Sequence, residues 1–284
     1  MPSPGPSELL GKVTSSGVNP VDHKLRSGAL AQFMPRDLPA EFGSEVSGVV
    51  EEVGQDVQGF AVGDEVFGSP APTHGGYSED TVLTASATAK KPTYVSFDDA
   101  VTLTVAAVTA YDAVTQLGLA EGQTLLINGV GGGVGVAAVQ IARDLGIAVI
   151  GTASEGERPL AQMLGATFVP YGDGVEQRVR KLMPDGVDGV LDLVGGSALS
   201  AVAALAKVPA KIVSAADPMT VSQLGGAPVQ RDGTAVVLGK VASMVANGKL
   251  DPHVSDVVAS DDVAQAIASV EGGHPVGKVV VKVS

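Results

Sequence analysis

Cysteine is missing from all 284 residues, and that one absence excludes disulfides, thiolate zinc sites, iron–sulfur clusters and cysteine nucleophiles. Basic residues are scarce: 18 Lys and Arg face 31 Asp and Glu, a formal net charge of −13. A chain this acidic lacks the cations that phosphate backbones and anionic lipid require, so neither nucleic acid nor a membrane surface is an expected partner. No run of about 18 apolar residues free of charges and turn formers occurs, so no membrane span is expected. The opening Met1-Pro2-Ser3-Pro4-Gly5-Pro6 has neither the basic region nor the apolar stretch of a secretory leader. Charged residues make up 17% against 45% hydrophobic, too few for a disordered, solvating chain. These absences leave a cytoplasmic α/β-type enzyme or binder as the expectation.

Glycine is what the sequence has in excess, with 37 residues against an average share of about 7%. No collagen period accompanies them, so they imply tight turns or backbone that approaches a ligand closely. From about Glu8 to Ala89 the texture is short and β-like. Glu45–Val53, Asp64–Phe67 and Tyr77–Thr84 read as strands punctuated by glycine, which predicts a partly antiparallel, barrel-like unit. From about Ala106 to Arg231 strands alternate with helices, beginning with strand Thr124–Asn128 and helix Val134–Leu145. That alternation calls for parallel pairing through right-handed crossovers, a doubly wound sheet. After Thr234 come helices Val236–Asn247 and Asp261–Val270 and a closing strand, Lys278–Val283, placed to return to the first unit. The expected division is 1–105 with 236–284, and 106–235. Pro218–Pro228 reads as a loop too short for a crossover helix.

The strand Leu125-Leu126-Ile127-Asn128 runs into Gly129-Val130-Gly131-Gly132-Gly133-Val134-Gly135, and a helix opens at once. A strand–glycine turn–helix unit leaves backbone N–H groups and the positive helix end free for a pyrophosphate, and glycines let its oxygens come close. The spacing is Gly129, Gly132, Gly135 rather than the usual GxGxxG, and a purely structural turn is the other reading. Nicotinamide coenzymes without a 2′-phosphate are held by a carboxylate about 20 residues on. Here that place falls to Ser154, with Arg158 four residues later, a pair that favours NADPH. Glu155 and Glu157 lie beside them and act against it, and Arg158 also reads as a solvated charge at a helix start.

The run Gly17-Val18-Asn19-Pro20-Val21-Asp22-His23-Lys24-Leu25-Arg26-Ser27-Gly28 resembles the NADPH-dependent quinone oxidoreductase branch of the medium-chain dehydrogenase/reductase superfamily, with its zeta-crystallin-like quinone reductases and alkenal/enone reductases. Gly43-Ser44-Glu45-Val46-Ser47-Gly48, Gly75-Gly76-Tyr77-Ser78-Glu79, Gly132-Gly133-Val134-Gly135, Asp188–Gly196 and Gly277-Lys278-Val279-Val280 follow in the same order. The resemblance implies a β-rich, GroES-like catalytic domain built from both ends of the chain around an inserted Rossmann domain. It further implies NADPH in the cleft between them, a homodimer, and hydride transfer to a quinone or an α,β-unsaturated carbonyl. Zinc-dependent alcohol dehydrogenases of the superfamily carry Gly-His-Glu where this chain has Gly43-Ser44-Glu45, and His23, His74, His253 and His274 are scattered singly. No metal site is therefore expected. Tyr-x-x-x-Lys and Gly-x-Ser-x-Gly are also absent, which disfavours short-chain dehydrogenases and hydrolases.

By the same resemblance Asn19 faces nicotinamide and substrate, where its amide donates to a carbonyl; its alternative is a turn before Pro20. Asp22 corresponds to the family's cleft aspartate or caps the following helix. Lys24 stabilises an oxyanion or is a solvated charge. Thr109, Gly129, Gly131, Gly132, Gly133, Val134, Gly135, Ser154, Arg158, Tyr171, Leu193, Val194 and Gly195 are the expected coenzyme contacts. The family has roughly 25 residues ahead of the strand that begins here near Leu9, so an uncovered strand edge is expected at that point. An NADPH-binding protein left weak or inactive by those missing strands is the alternative function.

Overall fold

The computed structural model describes residues 2–32, 34–35, 37–273 and 275–283. The chain divides into two units, Met1–Val105 with Gly233–Gly248 and Pro252–Ser284, and Ala106–Asp232 with Lys249–Asp251.

The first unit opens with β1 (Glu8–Val18), α1 (Pro20–Arg26), β2 (Val46–Val53), β3 (Glu65–Pro70), β4 (Asp80–Lys90) and α2 (Phe97–Thr102). Leu9 and Val13, Val46 and Val50, Val66, and Leu83 recur with the two-residue period of a strand and fuse into one buried apolar cluster. β1 pairs with β2, β2 with β3, β3 with β4, and β4 returns to β1, all antiparallel. The four strands thus close on themselves and leave no edge among them. Register shifts at Leu10/Gly11 and Val13/Ser15 bend β1, so its second half parts from β4, keeps β2 and takes another partner.

The second unit alternates strictly. It runs α3 (Val108–Leu117), β5 (Thr124–Asn128), α4 (Gly133–Asp144), β6 (Ala148–Ala153), α5 (Arg158–Met163) and β7 (Thr167–Pro170). It continues with α6 (Val175–Leu182), β8 (Gly189–Asp192), α7 (Gly196–Ala203), β9 (Ile212–Ser214), α8 (Pro218–Gln223) and β10 (Ala227–Pro228). All its strand pairs are parallel, in the order β10-β9-β8-β5-β6-β7. This is a doubly wound sheet whose strand order reverses between β5 and β8. Leu126, Ile150, Val190 and Ile212 from its strands pack with Val179, Leu199 and Val202 from its helices. The loop expected over Pro218–Pro228 is instead a six-residue helix and a two-residue strand: the Asp217 carboxylate accepts from Thr220 N–H, and Pro218 fits the first helical position.

The chain then returns to the first unit with α9 (Ala235–Ala246), β11 (Val254–Ala259), α10 (Val263–Glu271) and β12 (Lys278–Lys282). β12 lies antiparallel to the second half of β1, from Ser15↔Lys282 to Val18↔Val279, and parallel to β11. β11 has no counterpart in the sequence reading, because its half-exposed Val254–Ala259 separates one valine from a run of three apolar residues by Ser and Asp. The open edge expected near Leu9 does not form. β1 is flanked by β4 and β2 along its first half and by β12 and β2 along its second.

The helical run Phe97–Leu117, with a π-turn at Leu103–Ala107, is long and apolar enough to cross a membrane, yet 72% of that window is buried, as in a core helix.

Candidate active site

Four stretches far apart in sequence meet at one buried polar cluster in the first unit. Asn19 caps α1: its N–H donates to Asp22 Oδ2 at 2.8 Å. The Asn19 Oδ1 accepts from Lys278 Nζ at 2.6 Å, while its Nδ2 donates to Glu45 Oε1 at 2.8 Å and to Ser44 Oγ at 3.2 Å. Lys278 Nζ spends its other two N–H groups on Glu45 Oε1 at 2.8 Å and Val18 O at 3.1 Å, and Glu45 Oε2 accepts from Val105 N–H at 2.8 Å. Glu45 is wholly buried and Lys278 almost so. A buried ion pair survives desolvation only when its remaining donors and acceptors are matched, as these are.

Glycines make the room. A Cβ on Gly17 would lie 2.7 Å from Glu45 Cδ, so only glycine lets that carboxylate rest against β1. Gly43 has φ +103, a left-handed conformation, and a side chain there would also strike the Gly76 and Tyr77 N–H groups at 2.7 and 2.8 Å. Those two groups hold the Ser44 loop, donating to Gly43 O and Phe42 O at 3.0 Å each.

Asp22 shares the cluster. Its Oδ2 also accepts from Tyr77 OH at 3.1 Å, and its Oδ1 is buried without a partner. Burial, helped by the nearby Glu45 carboxylate and opposed by the Asn19 N–H, pushes the Asp22 carboxyl up to about 6. Burial and the Asp22 carboxylate push the Tyr77 phenol up as well. Asp22 is thus both helix cap and site group. Lys24 is not part of the cluster. Two residues beyond Asp22, it is turned to another side of α1 and its side chain bonds to no described residue. Both amide N–H groups of Asn19 are taken within the cluster, by Glu45 and Ser44.

In the second unit the expected coenzyme residues, apart from Thr109 on α3, follow the C-terminal ends of the parallel strands. Gly129 has φ +99 and turns the chain out of β5; α4 begins at Gly133 with Gly132 as an extended N-cap. No side chain caps that helix, so its first N–H groups face outward with the positive end of the helix dipole. Nothing lies within 4 Å of where a Gly132 side chain would stand, so the backbone there is open to the close approach of a pyrophosphate. Gly135 does the opposite job: a Cβ there would meet the Val130 Cα at 2.6 Å, so glycine lets α4 press on the turn.

Four buried side chains that the sequence reading did not single out tie these loops together. Thr152 Oγ1 donates to Asn128 Oδ1 at 2.7 Å, Asn128 Nδ2 to Asp192 Oδ1 at 2.8 Å, and Ser214 Oγ to Asp192 Oδ2 at 2.6 Å. This crossbar spans β6, β5, β8 and β9. It also receives the Gly129, Val194 and Gly195 N–H groups, and so fixes the glycine turn and the Leu193-Val194-Gly195 loop relative to each other. A polar residue at or next to the C-terminal end of each of these strands was the available signal. Tyr171 is exposed after β7, its N–H bonded to Ala153 O at 3.1 Å. Thr109 is buried on α3, which packs on α4.

Ser154 and Arg158, expected at a 2′-phosphate, both have acidic partners. Ser154 N–H and Oγ donate to Glu157 Oε2 at 2.7 and 2.6 Å, and the Glu157 carboxylate lies against Gly131. Arg158 clamps Glu155 through Nε and Nη2 at 2.7–2.9 Å, with its guanidinium 4.3 Å from the Phe168 ring centre. His23, His74 and His253 belong to no group of three candidate metal donors among the described residues, and His274 lies outside them.

Residues 5–93 match the family model described as an alcohol dehydrogenase GroES-like domain, and residues 164–281 match one described as a zinc-binding dehydrogenase. The chain's donor set does not suit the metal in that second description, since cysteine is absent and Ser44 stands in the Gly-Ser-Glu triplet. The mitochondrial NAD(P)H oxidoreductase RTN4IP1 of Homo sapiens is 31% identical over 328 aligned residues, spanning 98% of this chain and 82% of that protein. The 2-methylene-furan-3-one reductase of Solanum lycopersicum is 31% identical over 96% of this chain and 71% of its own length. Among solved structures, the quinone oxidoreductase from Coxiella burnetii superposes with a TM-score of 0.91 at 29% identity, covering 100% of this chain and 93% of that one. A mycobacterial protein solved with NADPH superposes at 0.88 with 28% identity, covering 99% and 93%.

Proposed function

Because the chain belongs to the medium-chain dehydrogenase/reductase superfamily, in its quinone oxidoreductase branch, we propose that it reduces a quinone or an α,β-unsaturated carbonyl with NADPH and without a metal. That it is an NAD(P)H oxidoreductase follows from its relatives; acceptor and coenzyme preference are the proposal. The observation that carries it is the uncapped glycine turn at the switch point of the doubly wound sheet, with its backbone open at Gly132.

Gly131 to Gly135 hold the pyrophosphate in this reading, and the Asn128–Asp192 crossbar keeps the Val194-Gly195 loop in register with it. When bound, the reduced coenzyme supplies hydride. A conjugated acceptor spreads the charge that develops over several atoms, so hydrogen-bond donors suffice where a simple carbonyl calls for a Lewis acid. The donors of the Asn19–Glu45–Lys278 cluster are all engaged within it, and through Asn19 Nδ2 it fixes the Ser44 hydroxyl, a donor that bonds to no described residue. For the coenzyme, Ser154 puts no charge at the end of β6, and Arg158, four residues on, carries the positive charge a 2′-phosphate requires once it releases Glu155. NADPH is the preference we infer. The alternative of a coenzyme binder disabled by missing strands is not favoured, since β1 is paired on both sides.

The experiment is turnover after chelator treatment, with NADPH and NADH each offered small quinones and alkenones, followed by nicotinamide absorbance. Oxidation of NADPH by either acceptor class in chelator supports the proposal. Activity that returns only with added metal, or no binding of either nicotinamide, overturns it.

A further inference from the structure

Asn19 cannot be the group that meets the acceptor oxygen, because its carbonyl and both its N–H groups are engaged. Its second N–H ends on Ser44, and Ser44 is a different case. The hydroxyl oxygen accepts from Asn19 Nδ2 at 3.2 Å, which obliges the hydroxyl proton to point elsewhere, and it donates to no described residue. Ser44 is only half-buried, unlike Asn19 and Glu45 on either side of it. Its loop is pinned by Gly43 against Gly76 and Tyr77.

The bonds run head to tail from a cation: Lys278 Nζ donates to Asn19 Oδ1, and Asn19 Nδ2 donates to Ser44 Oγ. Each link polarises the next in the same sense, so the last proton in the series, that of Ser44, is strengthened as a donor while the lysine's own are engaged. Glu45 offsets the lysine charge and keeps the series in place from the side.

Resting on the proposed reductase activity, we propose that Ser44 is a catalytic residue that hydrogen-bonds the acceptor's carbonyl oxygen, with Asn19 as its positioning residue. For an enone, a hydride from NAD(P)H forms the new C–H bond at the β-carbon, and the C=C electron pair moves so that negative charge collects on the oxygen. Ser44 steadies that oxygen and keeps its own proton. Water supplies the one proton that completes the saturated ketone.

The test compares wild type, Ser44→Ala and Ser44→Thr in steady-state enone reduction, with NADPH affinity measured separately by thermal shift. Ser44→Ala should lower kcat by about a hundredfold, the loss typical of one oxyanion donor, while NADPH affinity stays unchanged and the melting temperature falls by only a few degrees for the Asn19 N–H left without its acceptor. Ser44→Thr, which keeps the hydroxyl, should restore kcat to within several-fold. A Ser44→Ala enzyme within twofold of wild type in kcat overturns the assignment, as does a Ser44→Thr enzyme no better than Ser44→Ala. A wild type that binds NADPH but reduces no acceptor refutes the underlying function instead.

Discussion

Removing the Lys278 charge tests the buried cluster most directly. Lys278→Met keeps the length of the side chain and deletes three hydrogen bonds, of 2.6, 2.8 and 3.1 Å, made by one ammonium group. What remains is Glu45, wholly buried, with only the Asn19 and Val105 N–H groups to steady it. Breaking a buried pair from one side costs about 3–5 kcal/mol, because the other charge is stranded. For a chain of this size about 2 °C of melting temperature corresponds to each kcal/mol, so Lys278→Met should melt roughly 6–10 °C below wild type. Glu45→Gln in the same background removes the stranded charge, so the double variant should be more stable than Lys278→Met alone. Calorimetry on the four proteins of this cycle is the assay. Strict additivity of the two single losses, or a Lys278→Met loss below about 1 kcal/mol, refutes the account of a matched ion pair.

Asp22 sets a pH dependence of definite sign. Its carboxyl is pushed up to about 6 in the fold, above the ~3.9 of an unfolded chain, so the folded state holds a proton that the unfolded state has lost between those values. The contribution is unfavourable and grows as pH rises from about 4 to about 6, by roughly 3 kcal/mol in all. Denaturant titrations should show that decline in wild type and not in Asp22→Asn; parallel curves would contradict it. At the glycine turn, Gly132→Ala should change stability by less than about 0.5 kcal/mol yet abolish detectable coenzyme binding by calorimetry. Gly135→Ala, whose methyl meets the Val130 backbone, should instead destabilise the chain by about 1–3 kcal/mol. Arg158→Ala should weaken NADPH far more than NADH, and Glu157→Gln should strengthen NADPH selectively; equal effects on both coenzymes would remove these residues from 2′-phosphate recognition.

The sheet of the second unit was legible because its signals are local. Thr124–Asn128 is a short apolar run ending in glycines, and Val134, Ala137, Ala138, Ile141 and Ala142 repeat on one helical face. Phe97–Leu117 was harder: Val101, Thr102, Thr104, Val105, Val108 and Thr109 are β-branched, and only burial on all sides makes a helix of them. The helix at Pro218 carried its own signal, an Asp before a proline, which the neighbouring glycines obscured. Of the candidate site, Asn19 and Asp22 could be placed together because they lie three residues apart. Lys278 and Glu45 could not be joined to them, since a charge's partner 233 residues away is chosen by the closure of a sheet rather than by any local pattern. The acidic neighbours of Arg158 were visible in sequence, but their bidentate grip on it was not.

The antiparallel seam between β1 and β12 also governs the order in which this polypeptide matures on the ribosome. The second unit has all six of its strands in hand once Pro228 emerges and needs only neighbours along the chain to settle. The lobe translated first must wait for Lys278–Lys282, with Glu45 lacking its counter-ion and the second half of β1 paired on its β2 side alone in the meantime. A nascent chain arrested before β12 leaves the exit tunnel should therefore protect the glycine turn from protease while β1 is still cut.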